Sequence, residues 1–260
     1  MTAEPFFRRD GTAYQPTHSA RGPWSPTSLH GRVVAGLLAH AIEEAHGDPQ
    51  MIPARFNIDM YRLPDLSAAE VTVTAIRDGH RIKVIDAEYI VGGVSMARAT
   101  CQFLRKSENP MGHVWSPPNW NVPKPADLPP PTDGRGPMGG MWATRRIEGD
   151  FGTFGPEKRL WMSDFRELIE GEAITPFARV ALAADFASPF ANSGDKGLGW
   201  INSDITLYLA RLPVTEWVGF EVKNHQHDAG VAIAECWLYD EEGPIGSSSC
   251  AALAQRRAPR

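Results

Sequence analysis

Two stretches of the chain pair a broad apolar helical stripe with a following run of alternating strands. In "GRVVAGLLAHAIEEAHG", residues 31–47, Val33, Val34, Leu37, Leu38, Ala41 and Ile42 recur at helical spacing. The stripe is too broad for a helix resting on one surface, so other elements are expected to wrap it. Gly47, with Pro49 beyond it, marks its end. Alternation then predicts strands at about 55–63, 69–77, 81–91 and 94–104, with a tight turn at "RDGHR".

The pattern returns after residue 175. Thr175 supplies a capping hydroxyl, and Pro176 a ring already set to helical φ. Val180, Ala181, Ala183, Ala184, Ala187 and Phe190 leave this second helix almost no polar face. Strands follow near 203–211, 216–224, 229–239 and 244–254, with turns at "HDAG" and "DEEG". The halves also share short matches. "RLP" at 62–64 returns at 211–213, and Cys101 precedes Cys250 by the same 149 residues, while "RV" at 32–33 returns at 179–180, an offset of 147. Several matches in order at nearly one offset indicate duplication of one unit. A buried helix followed by a four-stranded antiparallel meander, present twice, predicts an α+β double hotdog: two antiparallel sheets, each wrapped around a long central helix. Nine prolines in residues 107–140 rule out helix or central strand there. The expected division is an N-terminal hotdog at 1–106, a Pro-rich connector at 107–140 and a C-terminal hotdog at 141–260. Trp115 and Trp120 suggest that the connector lies against the body.

Composition narrows the function classes. A formal charge of −5 offers no basic field for nucleic acid, and the basic end at Arg256, Arg257 and Arg260 reads as a frayed terminus. The three cysteines have no metal-ligand spacing, which fits free thiols in a reducing compartment. No run reaches membrane-spanning length, and "MTAEPFFRRDG" lacks a signal-peptide core. A cytoplasmic protein with no metal, no cofactor, no nucleic-acid partner and no membrane partner is expected.

One residue interrupts the pattern: Asp185 lies inside the apolar run "LAADFASPF". A carboxylate there loses hydration unless something solvates it, and desolvation alone raises its pKa toward neutrality. Either it faces a loop, or it lines a pocket and does chemistry. Counting back 147 residues gives Leu38, so the acid is expected in one copy only, and Asp185 is expected to line a pocket.

"LHGRVVAGLLAHAIE", "LAADFASPF", "INSDITLYLARLP", "TEWVGFE" and "LYDEEGPIGSSS", in this order, resemble the TesB-like acyl-CoA thioesterases, a tandem-hotdog family of the thioesterase superfamily. The resemblance implies hydrolysis of acyl-CoA with no prosthetic group and one site per pair of hotdogs. It places the family's acid at Asp185, an assisting hydroxyl or amide at Asn202, and a glutamine on the last strand. That last place falls at Cys250, so the glutamine is missing. The chemistry needs a held water, a base to take its proton and donors for the developing oxyanion. Helix starts at Gly31 and Thr175 offer backbone N–H groups for an oxyanion or for CoA phosphates.

The remaining candidates each carry a plainer reading. Asn202 serves equally as a strand-entry residue. Thr206 is left open as an assisting hydroxyl, and Asp204 is expected on the solvent side. Cys250 is expected as a buried structural thiol rather than a nucleophile. His30 fits a helix cap better than an acid–base group, and "HQHD" at 225–228 fits an exposed turn better than metal ligands. Two functional alternatives stand beside hydrolysis. One is an acyl-CoA-binding protein with little turnover. The other is an enoyl-CoA hydratase or dehydratase, which needs an Asp–His pair; the helix around Asp185 carries no histidine some five residues on. Pairing of sheet edges makes a homodimer or larger homo-oligomer the expected assembly.

Overall fold

The computed structural model describes residues 3–116, 120–130, 140–149, 155 and 158–255. The basic end at Arg256, Arg257 and Arg260 and residues 117–119 and 131–139 of the Pro-rich connector lie outside the described residues. The first half opens with a hairpin, β1 (Phe7–Asp10) and β2 (Ala13–Pro16), followed by helix α1 (Gly31–His46). Strands β3 (Met51–Asp59), β4 (Ala69–Asp78), β5 (Ile82–Val91) and β6 (Val94–Arg105) complete it. The second half starts with β7 (Ala143–Glu148) and β8 (Arg159–Ser163), then α2 (Pro176–Ala184) and α3 (Ala187–Asn192). A small hairpin, β9 (Ser193–Gly194) with β10 (Gly197–Leu198), leads to β11 (Trp200–Asn202). The last strands are β12 (Asp204–Leu209), β13 (Val218–Asp228), β14 (Val231–Asp240) and β15 (Gly243–Ala254).

All but the small hairpin join one antiparallel sheet in the order β1-β2-β4-β5-β6-β3-β12-β15-β14-β13-β8-β7, with β11 also on β15. The order is a palindrome of the two halves, joined where β3 pairs β12. At that seam Asn57 stands opposite Thr206, Phe56 opposite Leu207 and Ile58 opposite Ile205. Asn57 and Thr206 are 149 residues apart, the offset already seen in "RLP" and in the two cysteines. The residue pair related by the duplication therefore lies on the local twofold axis itself. This is the double hotdog, with the two sheets fused into one.

The eight predicted meander strands are all present, with shifted ends. The first predicted strand starts at Met51 rather than near 55, because Pro53 is accommodated at a bulge between Pro53 and Arg55. β1, β2, β7, β8 and β11 carry no alternation long enough to reveal them. β1 is also tied to the other half: the N–H groups of Phe6 and Phe7 donate to Glu167 O (3.0 Å) and Leu168 O (2.9 Å).

The helices fill the concave side. Leu37, Leu38, Ile42, Phe177, Val180 and Leu182 are all fully buried. α1 and α2 run antiparallel and nearly touch at Gly36, where a Cβ would stand 2.6 Å from Leu182 Cγ. Each helix start meets an acid from the other helix: the Thr175 hydroxyl donates to Glu43, while His30 and Gly31 face Asp185. Leu38 is core, as predicted, yet the second helix start is not without a carboxylate, because Glu43 supplies one.

Connector residue Trp120 lies flat on Tyr239 (4.1 Å between centroids) and edge-on to Trp161 (4.9 Å), above Gly219. Trp115, predicted to pack likewise, is 80 % exposed. No described helix is long and apolar enough to cross a membrane.

Candidate active site

The second central helix is not continuous. α2 ends at Ala184 and α3 begins at Ala187. Pro189 explains the break: it has no N–H for the carbonyl four residues back, and its ring crowds that carbonyl, which belongs to Asp185. The turn tightens instead to three-residue spacing, with Phe186 N donating to Ala183 O (2.9 Å) and Ser188 N to Asp185 O (3.3 Å). A proline four residues on thus sets Asp185 in the one irregular turn of the helix. The signal is in the sequence, in the proline of "SPF" at the end of the apolar run.

Asp185 is 5 % exposed. Its Oδ1 accepts from Asn202 Nδ2 at 3.0 Å, and its Oδ2 lies 3.3 Å from His30 Nδ1. The Asn202 amide is held by a second bond, to Asp204 O at 3.3 Å. Gly31 opens α1 directly against the carboxylate: a Cβ there would sit 3.3 Å from Asp185 Oδ1 and 3.0 Å from Met60 Sδ. Asp185, Asn202 and Gly31, from different parts of the chain, are therefore neighbours.

The electrostatics reverse one expectation. Burial is the largest influence and pushes the Asp185 carboxyl up, but His30, the Asn202 donor and the Arg32 charge together outweigh it. The net direction is below the usual carboxylate value. Asp185 is consequently an anion at neutral pH rather than a carboxyl poised near it. Arg32, 1 % exposed, is paired with Asp164 at 2.5 Å and stacked under Trp142 at 5.0 Å. Trp142 also meets His30 edge-on (6.1 Å) and Phe186 (5.6 Å).

His30 is both the expected cap and more than a cap. Its Nδ1 lies 3.2 Å from Arg32 N, the capping bond, as well as 3.3 Å from Asp185. A bare nitrogen accepts the first contact and a protonated one donates to the second, so the two contacts call for opposite protonation states. The histidine that Asp185 lacks on its own helix arrives from the first half of the chain. One-dimensional spacing could not show it, because the pair is brought together by the antiparallel packing of two helices from different repeats.

The other candidates disperse. Thr206 Oγ1 accepts from Asn57 Nδ2 at 3.0 Å on the seam. Asp204 is half-buried rather than on the solvent side, and its Oδ1 accepts Ala251 N–H at 2.6 Å. Cys250 is buried on the concave side of β15, where burial above all pushes its thiol up to about 12; Asn192 Nδ2 is 4.0 Å from its sulfur. "HQHD" ends strand β13 rather than forming a loop, and the turn is Ala229–Gly230, both at positive φ. No group of three or more metal-ligating side chains occurs among the described residues.

Comparison with known proteins gives two family-model matches. Residues 20–104 match the acyl-CoA thioesterase N-terminal domain and residues 121–253 the acyl-CoA thioesterase C-terminal domain. Among solved structures, a hot dog protein of unknown function from Alicyclobacillus acidocaldarius superposes with TM-score 0.75 at 15 % identity, covering 97 % of this chain and 96 % of that one. A putative thioesterase from Novosphingobium aromaticivorans gives 0.71 at 20 % identity, covering 98 % and 100 %. The acyl-CoA thioesterase II TesB2 of Mycobacterium marinum gives 0.66 at 15 %, covering 96 % and 95 %. No curated protein is significantly similar in sequence.

Proposed function

The chain belongs to the acyl-CoA thioesterase family, and from that premise we propose that it hydrolyses an acyl-CoA thioester with Asp185 as the group that positions and deprotonates water. The observation that carries this reading is the buried Asp185 carboxyl group, fixed by Asn202 at 3.0 Å and His30 at 3.3 Å.

Water hydrogen-bonded to Asp185 attacks the thioester carbonyl carbon, and its proton passes to the Asp185–His30 pair. The carbonyl becomes an oxyanion at the start of α1, where the Gly31 N–H and the positive end of a sixteen-residue helix favour negative charge. The C–S bond then breaks, and the coenzyme thiolate takes up the proton. Asn202 is a positioning residue: its amide holds the carboxylate. Because the depressed pKa makes Asp185 a weak base alone, the adjoining imidazole matters to the transfer. Cys250 occupies the place where the family resemblance implies glutamine, so water is held with one amide fewer. An acyl-CoA panel with a thiol-detecting reagent tests the reading. Release of CoA that Asp185→Asn abolishes supports it; release unaffected by that change overturns the assignment, and tight acyl-CoA binding with no release favours a carrier.

A second reading has one observation behind it. Enoyl-CoA hydration needs an Asp–His pair, and His30 with Asp185 supplies one across the two halves. Loss of enoyl absorbance without thiol release would favour it. We also propose self-association through the outer sheet face. Ile82 opposite Leu104 and Val231 opposite Leu253 form exposed apolar pairs related by the 149-residue offset.

A further inference from the structure

One face of the broken helix is polar, in a segment otherwise made of small and apolar side chains. Asp185, Ser188 and Asn192 follow the spacing i, i+3, i+7, which puts all three on one side. Ser188 and Asn192 are 2 % and 4 % exposed. Ser188 stands in the tight turn that Asp185 opens, its N–H donating to Asp185 O at 3.3 Å. Buried polar groups need partners, so each hydrogen bond along this face has a destination that can be followed.

Those bonds run in one direction. Asn192 Oδ1 lies 2.8 Å from His225 Nδ1, and an amide oxygen only accepts, so this nitrogen carries the proton. Partial burial, then the neighbouring His227 and Lys158, push the His225 pKa below its ordinary value and leave the ring neutral. Its Nε2 is therefore bare and accepts from His227 Nδ1 at 2.9 Å. At the inner end Asn192 Nδ2 donates to Ser188 Oγ at 3.3 Å and stands 4.0 Å from Cys250 Sγ. From the exposed His227 inward, each group donates to the next, and the last is the Ser188 hydroxyl. Its oxygen accepts from Asn192, which leaves its hydrogen to donate. The Cys250 thiol also meets this hydroxyl, but sulfur is a weak acceptor that a water oxygen outcompetes.

The duplication provides an internal control. The helix offset of 147 puts Leu38, Ala41 and Ala45 in the places of Asp185, Ser188 and Asn192. Three polar groups on one face of the second copy are three apolar ones in the first. Ser188 and Asn192 therefore accompany the acid, and packing of the helix alone does not call for them.

We propose that Ser188 is a further catalytic residue of the hydrolytic site, its hydroxyl donating to the water that Asp185 deprotonates, with Asn192 and His225 as the residues that position it. The water is then held between an acceptor and a donor three residues apart on one helix. The donor also offsets negative charge on the water oxygen as its proton leaves. The donor comes from the helix rather than from the last strand, which leaves Cys250 free to be a packing residue. The proposal rests on the hydrolytic reading of Asp185.

The test measures thiol release from an acyl-CoA by the full chain and its variants. Ser188→Ala is expected to lose about tenfold to a hundredfold in kcat with KM nearly unchanged. Asn192→Asp keeps the shape but replaces the donor with an acceptor, which turns the Ser188 hydrogen away, and a similar loss is expected. His225→Ala should cost about tenfold in kcat. His225→Asn, whose amide N–H can stand where Nδ1 stands, should recover most of that loss, which a merely structural role would not require. Wild-type kcat in Ser188→Ala or in Asn192→Asp overturns the proposal. So does a loss confined to KM, or a His225→Asn variant no better than His225→Ala. Release by the wild type that Ser188→Ala leaves unaffected sinks the proposal alone. No release by the wild type from any acyl-CoA sinks the hydrolytic reading and the proposal with it.

Discussion

Asn57 donates from Nδ2 to Thr206 Oγ1 at 3.0 Å, and these two residues are each other's counterparts in the duplicated chain. Where an equivalent pair meets itself, the twofold axis passes between them, so β3 and β12 form the hinge line of the whole sheet. The bond places Thr206 in the seam, where its oxygen accepts from the Asn57 amide, which bears on its standing as an assisting group at Asp185.

Thr206→Val is therefore expected to weaken the seam by about 1 kcal/mol, since it leaves the Asn57 amide without its acceptor. Thermal denaturation should register a drop of a few degrees, with turnover of acyl-CoA kept within about threefold. A hundredfold loss of turnover would instead put the hydroxyl in the reaction.

Asp185 should be ionised throughout the neutral range, because its partners hold it below the usual carboxylate value. A rate limb caused by its protonation then falls below about pH 4, not near 6 or 7. Profiles of kcat/KM in the wild type should lack an Asp185 limb between pH 5 and 8, while Asp185→Asn lowers kcat about a hundredfold or more across the range. A wild-type limb in that window that Asp185→Asn removes would contradict the direction.

Gly31 is needed for space. A methyl group there would meet Met60 Sδ at 3.0 Å and Asp185 Oδ1 at 3.3 Å. The thioether can yield, whereas the carboxylate moves only by giving up a partner. Gly31→Ala is expected to fold with a melting temperature within a few degrees of wild type and to lose about tenfold to a hundredfold in kcat. Unchanged kcat would mean that the carboxylate is not held as closely as the geometry requires.

Pro189 should trade regularity for position. Pro189→Ala restores an N–H that can reach Asp185 O, letting α2 and α3 join. The variant is expected to melt higher and to turn over about tenfold more slowly, as the carboxylate turns away from Asn202. Higher stability with undiminished turnover would show that the break is incidental.

Asp240 should contribute to acid stability. It is 2 % exposed; burial pushes its carboxyl up, but the bidentate Arg211 contact, 2.6 Å on both sides, and the Val214 and Glu242 N–H groups win and lower it. A folded-state pKa below the unfolded one gives stability that is present above the ordinary value of 3.8 and lost as pH falls through the folded value. Asp240→Asn should melt lower than wild type at neutral pH, with the gap closing as the pH falls below about 4. A gap constant with pH would rule out the linkage.

Much of this was legible along the chain. The apolar stripes at 31–47 and after 175, the eight alternating strands and the 149-residue offset are local or periodic properties. They determine the double hotdog because a helix apolar on so wide a face must be wrapped and because strand alternation leaves one face for it. Asp185 was legible as an anomaly for the same reason, a charge in a run with no polar face. The short strands at the sheet ends and β11 were not, since three to six residues carry too little periodicity and their pairing is set by distant partners.

Only the packing of the two repeats decided what surrounds that anomaly. His30 and Gly31 reach Asp185 because α1 and α2 run antiparallel across a twofold axis, a relation between residues some 155 positions apart that no spacing rule encodes. The sign of the Asp185 shift follows from the same fact. Burial, readable from the sequence, raises the pKa; the donors that overrule it are supplied by the other half of the chain. Sequence fixes which groups must be buried, and tertiary contact fixes what meets them there, because electrostatic interactions depend on distances through space rather than along the chain.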